Sequence, residues 1–262
     1  MPSTTVQIPT PDGSADALIA YPYASGGRYP GVLLYPDGIG VRPVLREMAE
    51  KLAGEGYYVL VPNLFYRHGP APVIGIPDLT RAENREPFFA RLMPVISEHT
   101  TERAERDALA YLDFLSAQPQ VRPGPVAVIG YCMGAGLALR TAAARPGQVA
   151  AVACFHPGPL VTDTPDSPHL LASRLSAKVY LGLAEHDEQS MPATAIAALR
   201  EAFDIAGVRY DSEVYPGTVH GFTMSDTAAF NPDALQHHWE ALLPLLHRSL
   251  AGRHAGRTPE TN

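Results

Sequence analysis

Cysteine is scarce in this chain, with two residues, Cys132 and Cys154, among 262. That number is too small for a disulfide scaffold, and the absence of any C-x-x-C spacing argues against a thiol redox protein. Lysine is equally rare. Only Lys51 and Lys178 occur, so eighteen of the 20 basic residues are arginine. The net charge is −7 and no basic run is present, so a nucleic-acid partner is not expected. No apolar stretch approaches membrane-spanning length. The first residues lack the charged and apolar pattern of a secretory leader, so the expectation is a cytoplasmic protein without a signal peptide. The ten histidines show no H-x-x-x-H spacing, and neither a metal nor a cofactor is expected. No internal repeat occurs.

What remains is an ordinary globular composition, 46% hydrophobic and 18% charged. The pattern predicts one domain over residues 1–251 and a polar, disordered tail at 252–262. Residues 6–8 and 17–21 flank Pro11-Asp12-Gly13-Ser14 and predict an antiparallel hairpin. From there strands and helices alternate. Strands are expected at 31–35, 57–61, 125–129, 149–155, 178–183 and 210–215. Helices are expected at 42–55, 100–117, 135–145, 193–206 and 232–250. Alternation of this kind predicts an α/β fold with a mostly parallel sheet and helices on both faces. Two stretches, 62–98 and 155–176, read as long irregular loops of the sort that build substrate pockets. Prolines 70, 72, 77, 87 and 94 carry that reading for the first.

The chemistry concentrates at Gly130-Tyr131-Cys132-Met133-Gly134, which directly follows the apolar run Pro125-Val126-Ala127-Val128-Ile129. Strand, tight glycine turn and helix form the context of a nucleophile elbow. The glycines permit close backbone approach. The helix N-terminus favours a thiolate and a developing oxyanion. Two readings of Cys132 stand: a nucleophile, or a small inert thiol at a strand–helix junction. Asp187 follows the strand at 178–183, and His220 follows the strand at 210–215. The order nucleophile, acid, histidine is that of α/β-hydrolases. Each also has a plainer reading, Asp187 as a solvated loop acid and His220 as a structural loop histidine. Cys154 reads as a core strand residue.

Together, the Cys132 elbow, Asp187, His220-Gly221-Phe222 and the segment YYVLVPNLFY (57–66) resemble the dienelactone hydrolases, or carboxymethylenebutenolidases. The likeness runs from Gly31 to about Leu250. It implies an α/β-hydrolase fold and an acyl-transfer enzyme using Cys132, Asp187 and His220. In that family a glutamate after the first core strand contacts the resting thiol; Asp37 stands there in this chain, with a plain Pro36-Asp37-Gly38 turn as the other reading. Of two arginines that hold a substrate carboxylate, Arg85 matches one, and Met224 occupies the place of the other. The oxyanion would be held by the backbone N–H groups of Met133 and Gly38. Expected pocket residues are Arg85, Phe88, Phe89, Leu92, Tyr131, His156, Phe222 and Met224.

The expected function is hydrolysis of a small ester or lactone by a monomer or homodimer, with no nucleic acid or membrane partner. Other classes stay open: an acyltransferase, isomerase or cyclase on the same fold, or a binding module that kept the fold.

Overall fold

A computed structural model describes residues 3–22 and 26–251; the tail at 252–262 lies outside the described residues. The strands are β1 (Ser3–Thr10), β2 (Gly13–Ala20), β3 (Gly31–Tyr35), β4 (Tyr58–Pro62), β5 (Val126–Tyr131), β6 (Val149–Phe155), β7 (Lys178–His186) and β8 (Tyr210–Val219). The helices are α1 (Pro43–Gly54), α2 (Arg85–Glu98), α3 (Thr101–Ala117), α4 (Met133–Ala144), α5 (Ala193–Ala206) and α6 (Pro232–Leu250). All eight strands join one sheet in the order β1-β2-β4-β3-β5-β6-β7-β8. The hairpin β1–β2 is antiparallel, and β2 pairs antiparallel with β4. Every later pairing is parallel.

Each residue of β3, β4 and β5 is buried. These strands are therefore continuous apolar runs, because helices cover both faces of the sheet. Alternate side chains feed two cores. Leu33 and Val128 belong to one core with Leu112 of α3, Leu139 of α4 and Leu199 of α5. Val32, Leu34 and Ile129 belong to a second core with Leu45 of α1 and Leu242 of α6 on the opposite face. Cys154 belongs to the first core, and its burial pushes the thiol up.

The stretch 62–98 departs from its reading as a loop, because residues 85–98 form α2. Pro87 lies in the first turn, where a missing N–H costs nothing. Pro94 lies within the helix on an exposed position. Phe88 and Leu92, one helical turn apart, anchor α2 on Ile39 and Leu79 in a third, smaller cluster. The stretch 155–176 is mostly loop, closed by a short 3-10 helix (Pro168–Arg174). No helix among the described residues is long and apolar enough to cross a membrane.

Candidate active site

The C-terminal ends of the parallel strands β3, β5, β7 and β8 carry the residues of interest, the usual place for sites in open α/β sheets. Cys132 follows β5 at the N-cap of α4, with φ 54° and ψ −120°. A side chain at positive φ is strained and needs surrounding structure to hold it. The turn supplies that hold. A Cβ on Gly130 would fall 2.1 Å from the Gly134 carbonyl oxygen, and one on Gly134 would fall 2.5 Å from that of Pro36. Only glycine fits at either place. The Cys132 N–H donates to the Phe155 carbonyl at 3.2 Å, and the Gly158 N–H donates to the Cys132 carbonyl at 2.9 Å. Cys132 itself remains partly exposed.

Asp187 lies just beyond β7 and His220 just beyond β8. Asp187 is 7% exposed, and its Oδ2 lies 2.6 Å from His220 Nδ1. Ser190 Oγ lies 3.3 Å from the same nitrogen. Burial disfavours an imidazolium at His220. The hydrogen bonds to Asp187 and Cys132, together with the charges of those partners, outweigh it and raise the group to about 10. Cys132, Asp187 and His220, distant in sequence, are thus brought together.

His156 supports this assembly from behind. It is fully buried at φ 35°. Its ring lies 5.4 Å from that of His220 and 5.2 Å from that of Phe222. Its Nε2 pairs with Thr223 Oγ1 at 2.8 Å. Burial first, then the charge of His220, keeps His156 well below its ordinary value and neutral. Beneath the site Tyr131 Oη pairs with His238 Nε2 at 2.9 Å, and burial holds His238 at about 3.

The expected contact between Asp37 and the resting thiol is replaced by another. Arg42 Nη1 donates to Asp37 Oδ1 at 2.7 Å and Arg42 Nη2 to Oδ2 at 2.9 Å, while the Ile39 N–H also donates to Oδ1. The carboxylate turns toward the guanidinium because both are buried, and an unpaired buried charge is costly. Gly38 lies against Met133. A Cβ built on Gly38 would be 3.6 Å from Met133 Sδ and 3.0 Å from Ile96 Cδ1.

A cavity of about 440 Å³ opens over Cys132 and His220. Of the expected pocket residues, Arg85, Phe89, His156 and Met224 line it, as do Asp37, Gly38 and Met133. Phe88, Leu92, Tyr131 and Phe222 do not. Phe88 and Leu92 fix α2, and Tyr131 and Phe222 are fully buried in the core beneath the site. Their aromatic and apolar side chains are used for packing. Arg42, Ser190 and Arg140 were not anticipated. Arg140 had a legible signal, since it lies two helical turns beyond Cys132 on one face of α4. Among the described residues no group of three or more His, Cys, Asp or Glu is placed to hold a metal ion.

Sheet order, elbow and strand-end placement define an α/β-hydrolase-fold protein. The sequence pattern of the Dienelactone hydrolase family matches residues 15–250, and the chain belongs to that family. A protein of Methylorubrum extorquens named "Putative carboxymethylenebutenolidase" is 29% identical over 241 residues, covering 90% of this chain and 78% of its own. The crystal structure of a "Putative Dienelactone Hydrolase" from Klebsiella pneumoniae superposes with a TM-score of 0.81 at 20% identity, over 94% of this chain and 98% of that one. P91, a dienelactone hydrolase-like promiscuous phosphotriesterase from metagenomic libraries, superposes with a TM-score of 0.72 at 23% identity, over 94% of this chain and 98% of that one. At these identities the two structural likenesses speak for the fold alone.

Proposed function

We propose that the protein hydrolyses a small carboxylic ester or lactone through Cys132, His220 and Asp187, by way of a thioester acyl-enzyme. The observation that carries this reading is the 2.6 Å Asp187–His220 hydrogen bond beside the Cys132 elbow, at the base of a cavity. Membership of the dienelactone hydrolase family supports it.

In the first half-reaction His220 carries the proton, and the Cys132 thiolate Sγ attacks the substrate carbonyl carbon. The carbonyl π electrons move to oxygen, and the N–H groups of Met133 and Gly38 stabilise that charge. Collapse breaks the bond to the alkoxy oxygen, which takes the proton from His220. The acyl group stays on Sγ. Water then attacks the thioester carbon, giving a proton to His220. The C–S bond breaks, the acid leaves, and the thiolate and imidazolium are restored. Asp187 holds the imidazole in one tautomer and stabilises its charged form. A sulfur nucleophile expels alkoxide or enolate more readily than amine, so esters and lactones fit better than amides.

Intact-mass spectrometry after mixing with aryl esters and lactones tests the reading. An acyl adduct confined to Cys132, decaying as acid appears, is the expected result. Turnover without an adduct in wild type and in slow-deacylating variants would overturn the covalent route. An adduct discharged to an added alcohol in preference to water would make the protein an acyltransferase.

A further inference from the structure

The cavity does not end at the candidate triad. Met133, Gly136, Leu137 and Arg140 of α4 all line it. They recur at the spacing of one helix face. From Met133 to Arg140 that face runs about 10 Å, at roughly 1.5 Å per residue. Facing it is the loop after β6, which contributes Pro159, Thr162 and Pro168. The result is a slot that leaves Cys132 along the axis of α4.

Its chemistry is uneven. Leu137, Pro159 and Pro168 give an apolar middle. The far end holds Arg140, but its guanidinium is already committed. Nη1 lies 3.5 Å from Glu105 Oε1, and Nη2 lies 3.5 Å from Asp166 Oδ2 and also donates to the Asp166 carbonyl. Two carboxylates on one guanidinium leave little field for a substrate anion. The Thr162 and Thr164 hydroxyls there pair with each other at 2.8 Å.

Gly136 is the narrow point of side-chain volume in this wall. A Cβ on it would meet only Pro168 Cγ at 3.8 Å and Leu160 Cδ2 at 3.9 Å, which is ordinary contact. Its backbone conformation is helical, so glycine is not needed for φ. The gap there holds about one methyl group, so any larger side chain must project into the cavity that Gly136 and Pro168 both line.

The leaving alkoxide must sit beside His220 to receive its proton. A second cleft of about 510 Å³ lies on the Asp187 side of His220, lined by His186, Asp187, Glu188 and Ala228, and Cys132 is not among its lining residues. The acyl group, bonded to Sγ, lies instead in the cavity that Cys132 and the α4 face line together.

We infer that the slot along α4 is an acyl-chain subsite for an uncharged, medium-length aliphatic acyl group, and that Gly136 sets how long that group can be. This rests on the hydrolase reading above. Burying successive methylenes against Leu137 and the prolines favours longer chains, each by a modest factor.

The test compares kcat/KM for p-nitrophenyl acetate and p-nitrophenyl octanoate in wild type, Gly136→Ala and Gly136→Leu. The octanoate-to-acetate ratio should exceed unity in wild type and fall by at least about tenfold in Gly136→Leu, with Gly136→Ala between, as expected for lost methylene contacts. Circular dichroism and urea unfolding verify that each variant folds, and Gly136→Ala, a helix-favouring change, serves if Gly136→Leu does not. An unchanged ratio, or a wild type that prefers acetate, overturns the inference. Sensitivity of octyl acetate in place of the octanoate would overturn it too, by assigning the slot to the alcohol. Calorimetric binding of ethyl octanoate to Cys132→Ala, with and without Gly136→Leu, separates the two readings. Binding that Gly136→Leu weakens, in a protein that turns over no ester, would refute the hydrolase reading and keep the subsite. Ester turnover with no such dependence would do the reverse.

Discussion

Arg42 holds Asp37 with both terminal nitrogens, at 2.7 and 2.9 Å, and its Nε reaches Asp226 at 2.6 Å. The Arg42 side chain is 1% exposed and that of Asp37 8%. This buried bridge ties the loop after β3, which carries Gly38, to the loop after β8, which carries His220. Removing one partner of such a pair strands a buried charge. Arg42→Ala should cost about 3–5 kcal/mol of stability by urea unfolding. Because the Asp37 charge is already compensated, Asp37→Asn should alter the iodoacetamide rate of Cys132 by less than about threefold. A much faster alkylation would mean that the carboxylate spends its time on the thiol.

Cys132 sits alone in the elbow, and the only other cysteine, Cys154, is buried in the core. Cys132→Ala should abolish turnover of p-nitrophenyl acetate without changing the circular dichroism spectrum. Cys132→Ser should keep a small residue of activity, since the backbone geometry survives but a hydroxyl needs a stronger base. A Cys132→Ala protein that works at the wild-type rate removes the central claim.

Asp187 reaches the reacting atoms only through His220. In the proposed mechanism it is therefore a positioning residue, and His220 is the group that moves the proton. His220→Ala should lower kcat by roughly 10³-fold or more. Asp187→Asn should also act mainly on kcat and leave KM nearly unchanged. It should also remove much of what holds the His220 proton, so the imidazole should titrate lower by NMR. An Asp187→Asn protein with wild-type kcat and an unmoved His220 titration would break the assignment.

Much of this arrangement was legible in the sequence. Buried parallel strands leave uninterrupted apolar runs, and β3, β4 and β5 announced themselves that way. The elbow was equally legible, because Gly130 and Gly134 are required by backbone contacts between adjacent elements. What stayed hidden depended on side chains choosing among distant partners. Nothing near Asp37 in sequence states that Arg42 will take both of its oxygens, since burial creates that demand. Helix α2 was hidden by Pro87 and Pro94, which a helix tolerates at a first turn and on an exposed face. Phe88 and Phe222 have the composition expected of pocket walls, yet their rings are spent on packing. Aromatic character alone does not separate lining a site from supporting it.

Substrate charge gives a further prediction. Met224 presents an apolar wall, Arg140 is paired twice, and Arg85 is exposed at the mouth, its guanidinium 5.0 Å from the Phe89 ring centroid. An exposed cation attracts an anion only weakly. A neutral lactone should therefore be turned over at least as well as its carboxylate analogue, measured as kcat/KM. A preference of about 10²-fold for the anion, roughly 2.7 kcal/mol, would instead make Arg85 a substrate anchor.

The imidazoles at and beneath the site predict opposite pH effects on stability. His238, held at about 3 mainly by burial, lies below its unfolded value of about 6.5. Between those values the unfolded chain binds a proton that the folded chain refuses. The stability that His238 contributes is therefore present above about pH 6.5 and lost as the pH falls toward 3. His156 acts in the same direction. His220 is reversed: its folded value of about 10 lies above the unfolded one. Its contribution is complete below about pH 6.5 and lost as the pH rises through about 10. Urea unfolding across pH separates the two. His238→Gln keeps a partner for the Tyr131 hydroxyl but does not titrate. Between about pH 6 and 4 its stability should fall less steeply than that of wild type, by up to about 1.4 kcal/mol per pH unit. His220→Gln should flatten the alkaline limb between about pH 7 and 10. A His238→Gln slope equal to that of wild type would mean that His238 is already charged in the folded protein, and that the Tyr131–His238 pair beneath the site carries a proton.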